Sequence, residues 1–334
     1  MTANPTREQA LENASQVIER LRKRCQHAIR GRDDVIDLLL IALMADGHVL
    51  LEDYPGSGKT TLAKTLGDSI IDDNPQEKIA AFRRIQFTPD LLPSDITGVS
   101  VFEPDKGTFE FRPGPIFAHV VVGDEINRTS PKVQAAMLEA MAEKQVTVDN
   151  VSHQLDDLFF VIATQNPRDQ AGTYPLPVAQ LDRFLFKIRM VDIERSAEID
   201  VLASYKKRRT ESTEELPRVT RSQVMEARRA IDEHVHIHPE VHTCLVDIAR
   251  NLRKSPQVMQ GVSTRSLVLL LPAIQAEALL HKRNYVLPED IERLAPHVFT
   301  HRMELAPGAE DPHRLIKECA KPALEALSRQ ALKS

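Results

Sequence analysis

Tryptophan is absent from this chain of 334 residues, and aromatic residues make up only 4% of it. So few rings leave little for stacking against nucleic-acid bases. The formal net charge of −5 argues the same way, because broad nucleic-acid binding normally needs a basic surface. The three cysteines, Cys25, Cys244 and Cys319, are scattered and form neither a metal pattern nor a disulfide framework, as expected in a reducing cytoplasm. No apolar run approaches the roughly 20 residues of a membrane span. The N-terminus lacks the apolar core of a signal peptide, so a cytoplasmic protein is expected. Internal repeats and low-complexity tracts are missing too, which excludes a repeat architecture.

What is present suits an ordinary globular protein of two domains or one large one: 42% hydrophobic and 27% charged residues. Residues 7–29 carry an apolar stripe at Leu11, Ala14, Ile18, Leu21, Cys25 and Ala28 on an otherwise polar helix that Gly31 ends. Asp33–Met44 reads as a second, more buried helix. Short apolar runs follow at 48–52, 79–87, 119–124, 158–164 and 186–192, the pattern of strands buried on both faces of a parallel sheet. Helical patterns at 59–71, 131–142 and 177–183 lie between them, so a three-layer α/β sandwich is expected. Residues 98–114 read as a hairpin turning at Asp105-Lys106-Gly107, and 145–155 as another turning at Asp149-Asn150. The polar run "KKRRTESTEELP" at 206–217 is the expected boundary, and 218–330 is helical by periodicity.

The stretch "DYPGSGKTT" (53–61) is nearly a phosphate-binding loop, G-x-x-x-x-G-K-[ST], with Asp53 at its first glycine. Backbone N–H groups from Gly56 to Thr60 can wrap phosphates, since glycine permits the angles and the close approach. Lys59 supplies a point charge, the Thr60 hydroxyl can ligate Mg²⁺, and the helix beginning there adds its positive end. A bland Gly-rich turn is the alternative, but a strand before and a helix after "GKTT" favour nucleotide. Downstream, "VVVGDEINR" ends a buried strand in Asp124 and Glu125. They are suited to hold the metal and to polarise an attacking water. Such a pair alone is usually a solvated loop, and gains meaning only from the loop upstream. The strand "FFVIATQNP" ends in Thr164-Gln165-Asn166, where an amide can bond a phosphate or the water. "QLDRF" places Arg183 at a helix end, and "GVSTRSL" places Arg265 at a helix start; either arginine alone would read as a surface ion pair.

In that order the motifs resemble the MoxR-type AAA+ ATPases, in the clade with an insertion in the second helix and a hairpin before the first sensor. The likeness runs from about Ile29 to Val298, through "GHVLLEDYPGSGKTTLAKTL", "FEFRPGPIFAHVVVGDEINRTSPKVQAAMLEAMAEKQVTV", "FFVIATQNP", "GTYPLPVAQLDRF" and "GVSTRSLVLLLPAIQAEALLHKRNYVLPEDI". An acidic residue at the loop's first position is common in that family, whereas Gly123 departs from its more usual alanine. The resemblance implies a three-layer P-loop AAA+ core with a parallel sheet, followed by an all-helical lid. The corresponding spans are an N-terminal helix at 1–30, the core with its two hairpins at 31–212, and the lid at 213–334. It further implies ATP and Mg²⁺ as cofactors. Pro55, Gly56, Ser57, Gly58, Lys59, Thr60 and Thr61 hold nucleotide, and Thr60 and Asp124 hold the metal. Glu125 is the base, Asn166 the first sensor and Arg265 the second. Arg183 is an arginine finger serving the neighbouring subunit, and Gln86 corresponds more weakly to the residue that restrains the glutamate. A homo-oligomeric, hexameric ring is implied, with a chaperone-like role in assembling or activating a partner protein or metalloenzyme complex. Its co-worker carries a von Willebrand factor A domain.

Three other features are weighed and set aside. "DITG" (95–98) fits a GTPase motif, but no N-K-x-D element accompanies it. His234, His236, His238 and His242 tempt a metal reading, yet no acidic or cysteine partner is spaced with them, so a polar turn into a helix is favoured. The basic run 206–209 is followed by acidic residues and reads as a solvated linker. Two further functions stay open at this point. One is a scaffold that nucleotide merely stabilises, which would not need Glu125, Asn166 and Arg183 together. The other is a nucleic-acid remodeller, which charge and scarce aromatics disfavour.

Overall fold

In a computed structural model that describes residues 6–52, 57–73, 79–166, 172–204 and 216–331, the expected layers form around one sheet. Helix α1 (Arg7–Ala28) starts at a Thr6–Gln9 capping box and buries the predicted stripe, with Val17 and Arg24 added and Ala28 only half-buried. It closes at Ile29 rather than at the glycine. Gly31 lies in the connection with φ +70°, where an added Cβ would stand 2.6 Å from the Ala197 side chain. Helix α2 (Asp33–Met44) is buried over most of its length, as its apolar sequence requires.

The core elements continue as β1 (Val49–Glu52), α3 (Lys59–Asp68), β2 (Ile70–Ile71), β3 (Ala80–Gln86), α4 (Pro93–Thr97), β4 (Gly98–Glu103), β5 (Thr108–Pro113), β6 (Ala118–Asp124), α5 (Pro131–Glu143), β7 (Gln145–Val148), β8 (Val151–Gln154), β9 (Phe160–Gln165), α6 (Val178–Leu181), β10 (Phe186–Arg189) and α7 (Arg195–Ala203). Five strands pair in parallel in the order β10-β1-β9-β6-β3. Strand β6 is buried throughout, and the central strand β9 nearly so. Strand β3 departs from the expected two-sided burial: it is the sheet's edge, and Arg83, Arg84 and Gln86 are exposed along it. The helical pattern at 59–71 stops at Asp68, because Ile70 and Ile71 pair with β11 (Val219–Thr220). The pattern at 177–183 shrinks to the four residues of α6.

Both hairpins form as read, β4 with β5 and β7 with β8, each antiparallel. Asp149 and Asn150 take φ of 50° and 63°, the left-handed pair a tight two-residue hairpin turn needs. Phe111 of one hairpin stacks on His153 of the other at 3.6 Å between ring centroids, so the two stand together.

The lid contains α8 (Arg221–His234), α9 (Pro239–Lys254), α10 (Thr264–Leu280), α11 (Pro288–Phe299) and α12 (Pro312–Ala331). A small antiparallel pair, β12 (Val258–Gln260) and β13 (Glu304–Leu305), was not legible in the periodicity. Arginines tie the lid to the core: Arg221 to Asp156 at 2.8 Å, Arg228 to Asp46 at 2.7 Å and Arg302 to Asp182 at 2.7 Å. Among the described residues no helix is long and apolar enough to cross a membrane.

Candidate active site

Ligands in open parallel α/β sheets bind beyond the carboxyl ends of the strands, and there the predicted residues gather. Glu52 stands level with Gln165, and Gln86 level with Asp124, at the ends of four neighbouring strands. Of the phosphate-loop residues, Pro55 and Gly56 lie outside the described residues. Gly58 precedes α3 in the left-handed conformation, φ +88°, and Lys59, Thr60 and Thr61 form the first helical turn. No side chain caps that turn, so its first N–H groups are oriented to receive an anion, beside the lysine charge. The last residue of β6 is a buried carboxylate, Asp124, of the oxygen type that Mg²⁺ prefers. An uncapped helix start, a lysine, a hydroxyl and a carboxylate together fit a magnesium-bound triphosphate.

Asp124 and Glu125 differ in how they are held. Asp124 accepts from Arg84 Nε at 2.7 Å and from Thr164 Oγ1 at 3.3 Å. Glu125 sits in the left-handed region with φ 59°, and its backbone N–H donates to the same Thr164 hydroxyl at 2.9 Å. Non-glycine residues rarely adopt that conformation and keep it only where the surroundings over-determine it. Here the Thr164 bond supplies part of that determination. The Glu125 carboxylate accepts from Gln86 Nε2 at 3.1 Å and pairs with Arg128 Nε at 3.2 Å. Arg84 also donates to Gln86 Oε1 at 2.8 Å, which closes a network across three strands.

Asn166 follows β9 directly, at the same carboxyl end of the sheet. Arg183 lies in the turn between α6 and β10, exposed, and has no ion pair among the described residues. Arg265, in the first turn of α10, is directed toward that turn, with its Nε 3.5 Å from Asp182 Oδ2.

This arrangement matches known proteins over nearly its whole length. The model of the ATPase family associated with various cellular activities (AAA) matches residues 48–186, and that of the AAA lid domain residues 250–324. The chaperone MoxR1 of Mycobacterium tuberculosis is 31% identical over 339 residues, which cover 94% of this chain and 84% of the relative. The protein MoxR of Methylorubrum extorquens is 30% identical over 316 residues, covering 87% and 88%. The chain belongs to the MoxR family of AAA ATPases. A solved structure from Cytophaga hutchinsonii, provisionally assigned as an ATPase, shares the fold with a TM-score of 0.84 at 33% identity. It covers 94% of this chain and 96% of its own.

Within this MoxR-family chain, Gly123 has a local cause. A Cβ there would stand 2.9 Å from Phe87 Cε2, so the ring occupies the space an alanine methyl would need. Four site residues escaped the sequence reading. Arg84 lies two positions before Gln86, on the same face of its strand, and that spacing was the available signal. In the sequence Thr164 is marked only as a polar strand end. Arg128 gave no signal of its own beside Arg183 and Arg265, and Arg302 sits in a C-terminal stretch to which no role was assigned. The histidines at 234–242 resolve otherwise: His238 caps α9 by accepting from the Glu240 N–H at 3.3 Å. Among the described residues no three His, Cys, Asp or Glu side chains gather to hold a metal.

Proposed function

We propose that this chain is an ATP-hydrolysing ring motor of the MoxR type, whose cycle drives assembly or activation of a partner protein or metalloenzyme complex. The observation that carries it is the convergence of Gln86, Asp124, Glu125 and Thr164 at the strand ends beside the uncapped start of α3. Lys59 and the first-turn N–H groups of α3 would bind phosphate, while Thr60 and Asp124 would hold Mg²⁺. Bound Mg-ATP supplies the transferable phosphoryl group and the cation that neutralises its charge. Glu125 orients and deprotonates the attacking water, and Gln86 holds that carboxylate until the site is complete. Asn166 reports on the phosphate end from β9. Arg265 reports from the lid, and exposed Arg183 reaches a neighbouring subunit's site in a hexameric ring. Residues 31–212 form the motor core and 213–334 the lid. The remaining elements of this reading are a cytoplasmic location and a partner with a von Willebrand factor A domain.

The paired hairpins are the surface offered to that partner. Phe102 and Phe109 cross-pair at 5.3 Å between ring centroids and are 51% and 72% exposed, on arms that nucleotide chemistry does not require. Replacing residues 104–108 by a Gly-Ser turn tests this part. Basal hydrolysis should stay within about threefold, well under 1 kcal/mol in the barrier, while partner capture is lost. Lost ring assembly with capture unchanged per ring would make the hairpins structural instead. Nucleotide binding is tested by titrating labelled ATP: Lys59→Ala should weaken it strongly, and equal affinity in that variant would remove the basis of the reading.

A further inference from the structure

The turn that carries Arg183 is held by the lid, through a residue far away in sequence. Arg302 follows α11 in a short 3₁₀ turn and is almost fully buried. Its Nε donates to Asp182 Oδ1 at 2.7 Å. Its Nη2 donates to the backbone oxygens of Asp182 at 3.0 Å and Phe184 at 2.6 Å. Its Nη1 donates to the Leu185 oxygen at 3.1 Å and the Val298 oxygen at 2.6 Å. A guanidinium has five N–H groups, and here they meet six partners, since Nη1 also lies 2.8 Å from His301 Nε2. Four of the contacts go to Asp182, Phe184 and Leu185 around Arg183, and the bond to Val298 anchors the group to α11. Burial pushes the Arg302 guanidinium down, and the Asp182 carboxylate pulls it back up.

Asp182 faces a second lid arginine on its other oxygen. Arg265 Nε stands 3.5 Å away, and its side chain is 62% exposed. The two pairs differ in kind. A buried guanidinium that loses its carboxylate is left uncompensated, whereas an exposed pair contributes little and exchanges readily. Arg265 can therefore leave Asp182 without loosening Arg302.

We infer that Arg302 is the positioning residue for Arg183, joining the finger's turn to the lid so that lid movement relocates the finger. The nucleotide state that a subunit senses through Arg265 then sets how well it presents Arg183 to its neighbour. This rests on the reading of Arg183 as a finger acting between subunits, given above.

Arg302→Gln and Arg302→Lys test it by two readouts. The first is amide hydrogen exchange in the nucleotide-free protein. The Arg183 N–H bonds the Gln180 oxygen at 3.2 Å and the Phe184 N–H the Leu181 oxygen at 3.1 Å. In Arg302→Gln both should exchange at least about tenfold faster while β9 amides keep parental protection; parental protection at 183 and 184 would overturn the inference. Arg302→Lys, a point charge without the planar fork, should recover only part of the protection. The second readout is turnover in mixed rings. Arg302→Gln protein mixed with Lys59→Ala protein should regain activity, because the latter presents a well-held Arg183 beside the former's intact pocket. Arg183→Ala serves as the control. If Arg183→Ala regains activity and Arg302→Gln does not, Arg302 does not act through the finger. If neither does, with mixed rings demonstrated, the finger itself works within one chain and the inference falls with that reading. Should Arg302→Gln lose protection throughout β9, Asp182→Asn, which removes the same ion pair at a partly exposed position, is put through the same two measurements and judged by the same outcomes.

Discussion

Acid should destabilise this protein through His48, the residue just before β1, and the size of the effect follows from its surroundings. His48 is buried. Its Nδ1 accepts from the Val161 N–H at 3.1 Å, and its Nε2 lies 3.1 Å from the Met141 oxygen, to which it donates. That places the neutral Nε2–H tautomer where β1, β9 and the end of α5 meet. Burial pushes its pKa down from 6.5 to about 4, against the opposing bond to Met141. Below pH 6.5 the unfolded chain therefore binds a proton that the folded chain refuses, and stability is lost as pH falls from 6.5 toward 4. Each pKa unit corresponds to about 1.36 kcal/mol, so this histidine should remove about 2–3 kcal/mol between pH 7.5 and pH 4.5. His297, also lowered to about 4 by burial and by the His313 charge, acts in the same direction. Comparing the parent with His48→Gln cancels that contribution. The assay is denaturant unfolding of both proteins at the two pH values. The variant should be less stable at pH 7.5 but lose about 2–3 kcal/mol less on acidification. Equal losses would refute the assignment of His48 as a buried neutral group.

Two further predictions concern the carboxyl ends of β6 and β9. Thr164→Val removes the hydroxyl that accepts from the Glu125 N–H and donates to Asp124. Leaving that N–H without its partner should cost about 1–3 kcal/mol in thermal unfolding, and turnover should drop about tenfold or more with ATP affinity kept. Unchanged turnover would show that Glu125 needs no such support. Gly123→Ala should destabilise by about 1–3 kcal/mol, since its methyl would meet Phe87 at 2.9 Å, and adding Phe87→Leu should return part of the loss. A stable single variant would mean that the ring moves aside freely.

How much of this was legible beforehand depended on how local the cause was. The α1 stripe, the whole of α2 and both hairpin turns follow from spacing and from residues such as Asp149 and Asn150 that tolerate positive φ. The placement of Asp124 and Glu125 was equally local, since a continuous apolar run ending in two acids reads as a buried strand with its chemistry at the carboxyl end. Pairings across the sheet were not local. Thr164 meets Glu125 because β9 lies beside β6, and Arg84 meets Asp124 because β3 lies on β6's other side, which no periodicity encodes. The edge position of β3 is of the same kind: "AAFRRIQF" is apolar enough for a strand, but its arginines signal exposure only once the strand order is known. Arg302 is the extreme case, separated by 120 residues from the Asp182 carboxylate it binds. Most arginines in such a stretch are solvated, so only the fold distinguishes this one.

The central claim, that Glu125 activates water for hydrolysis at a site built by α3 and β6, is tested most directly by Glu125→Gln. The measurement is a single-turnover experiment with radiolabelled ATP on purified assemblies, scoring bound ATP and released phosphate in the same samples. The glutamine keeps the side chain's size and leaves Lys59, Thr60 and Asp124 in place, so binding should match the parent within about threefold, less than 1 kcal/mol. Loss of the base should slow phosphate release by about 10²-fold or more, leaving ATP trapped on the protein. Release at the parental rate would contradict the assignment of Glu125, and so would equal loss of binding and hydrolysis.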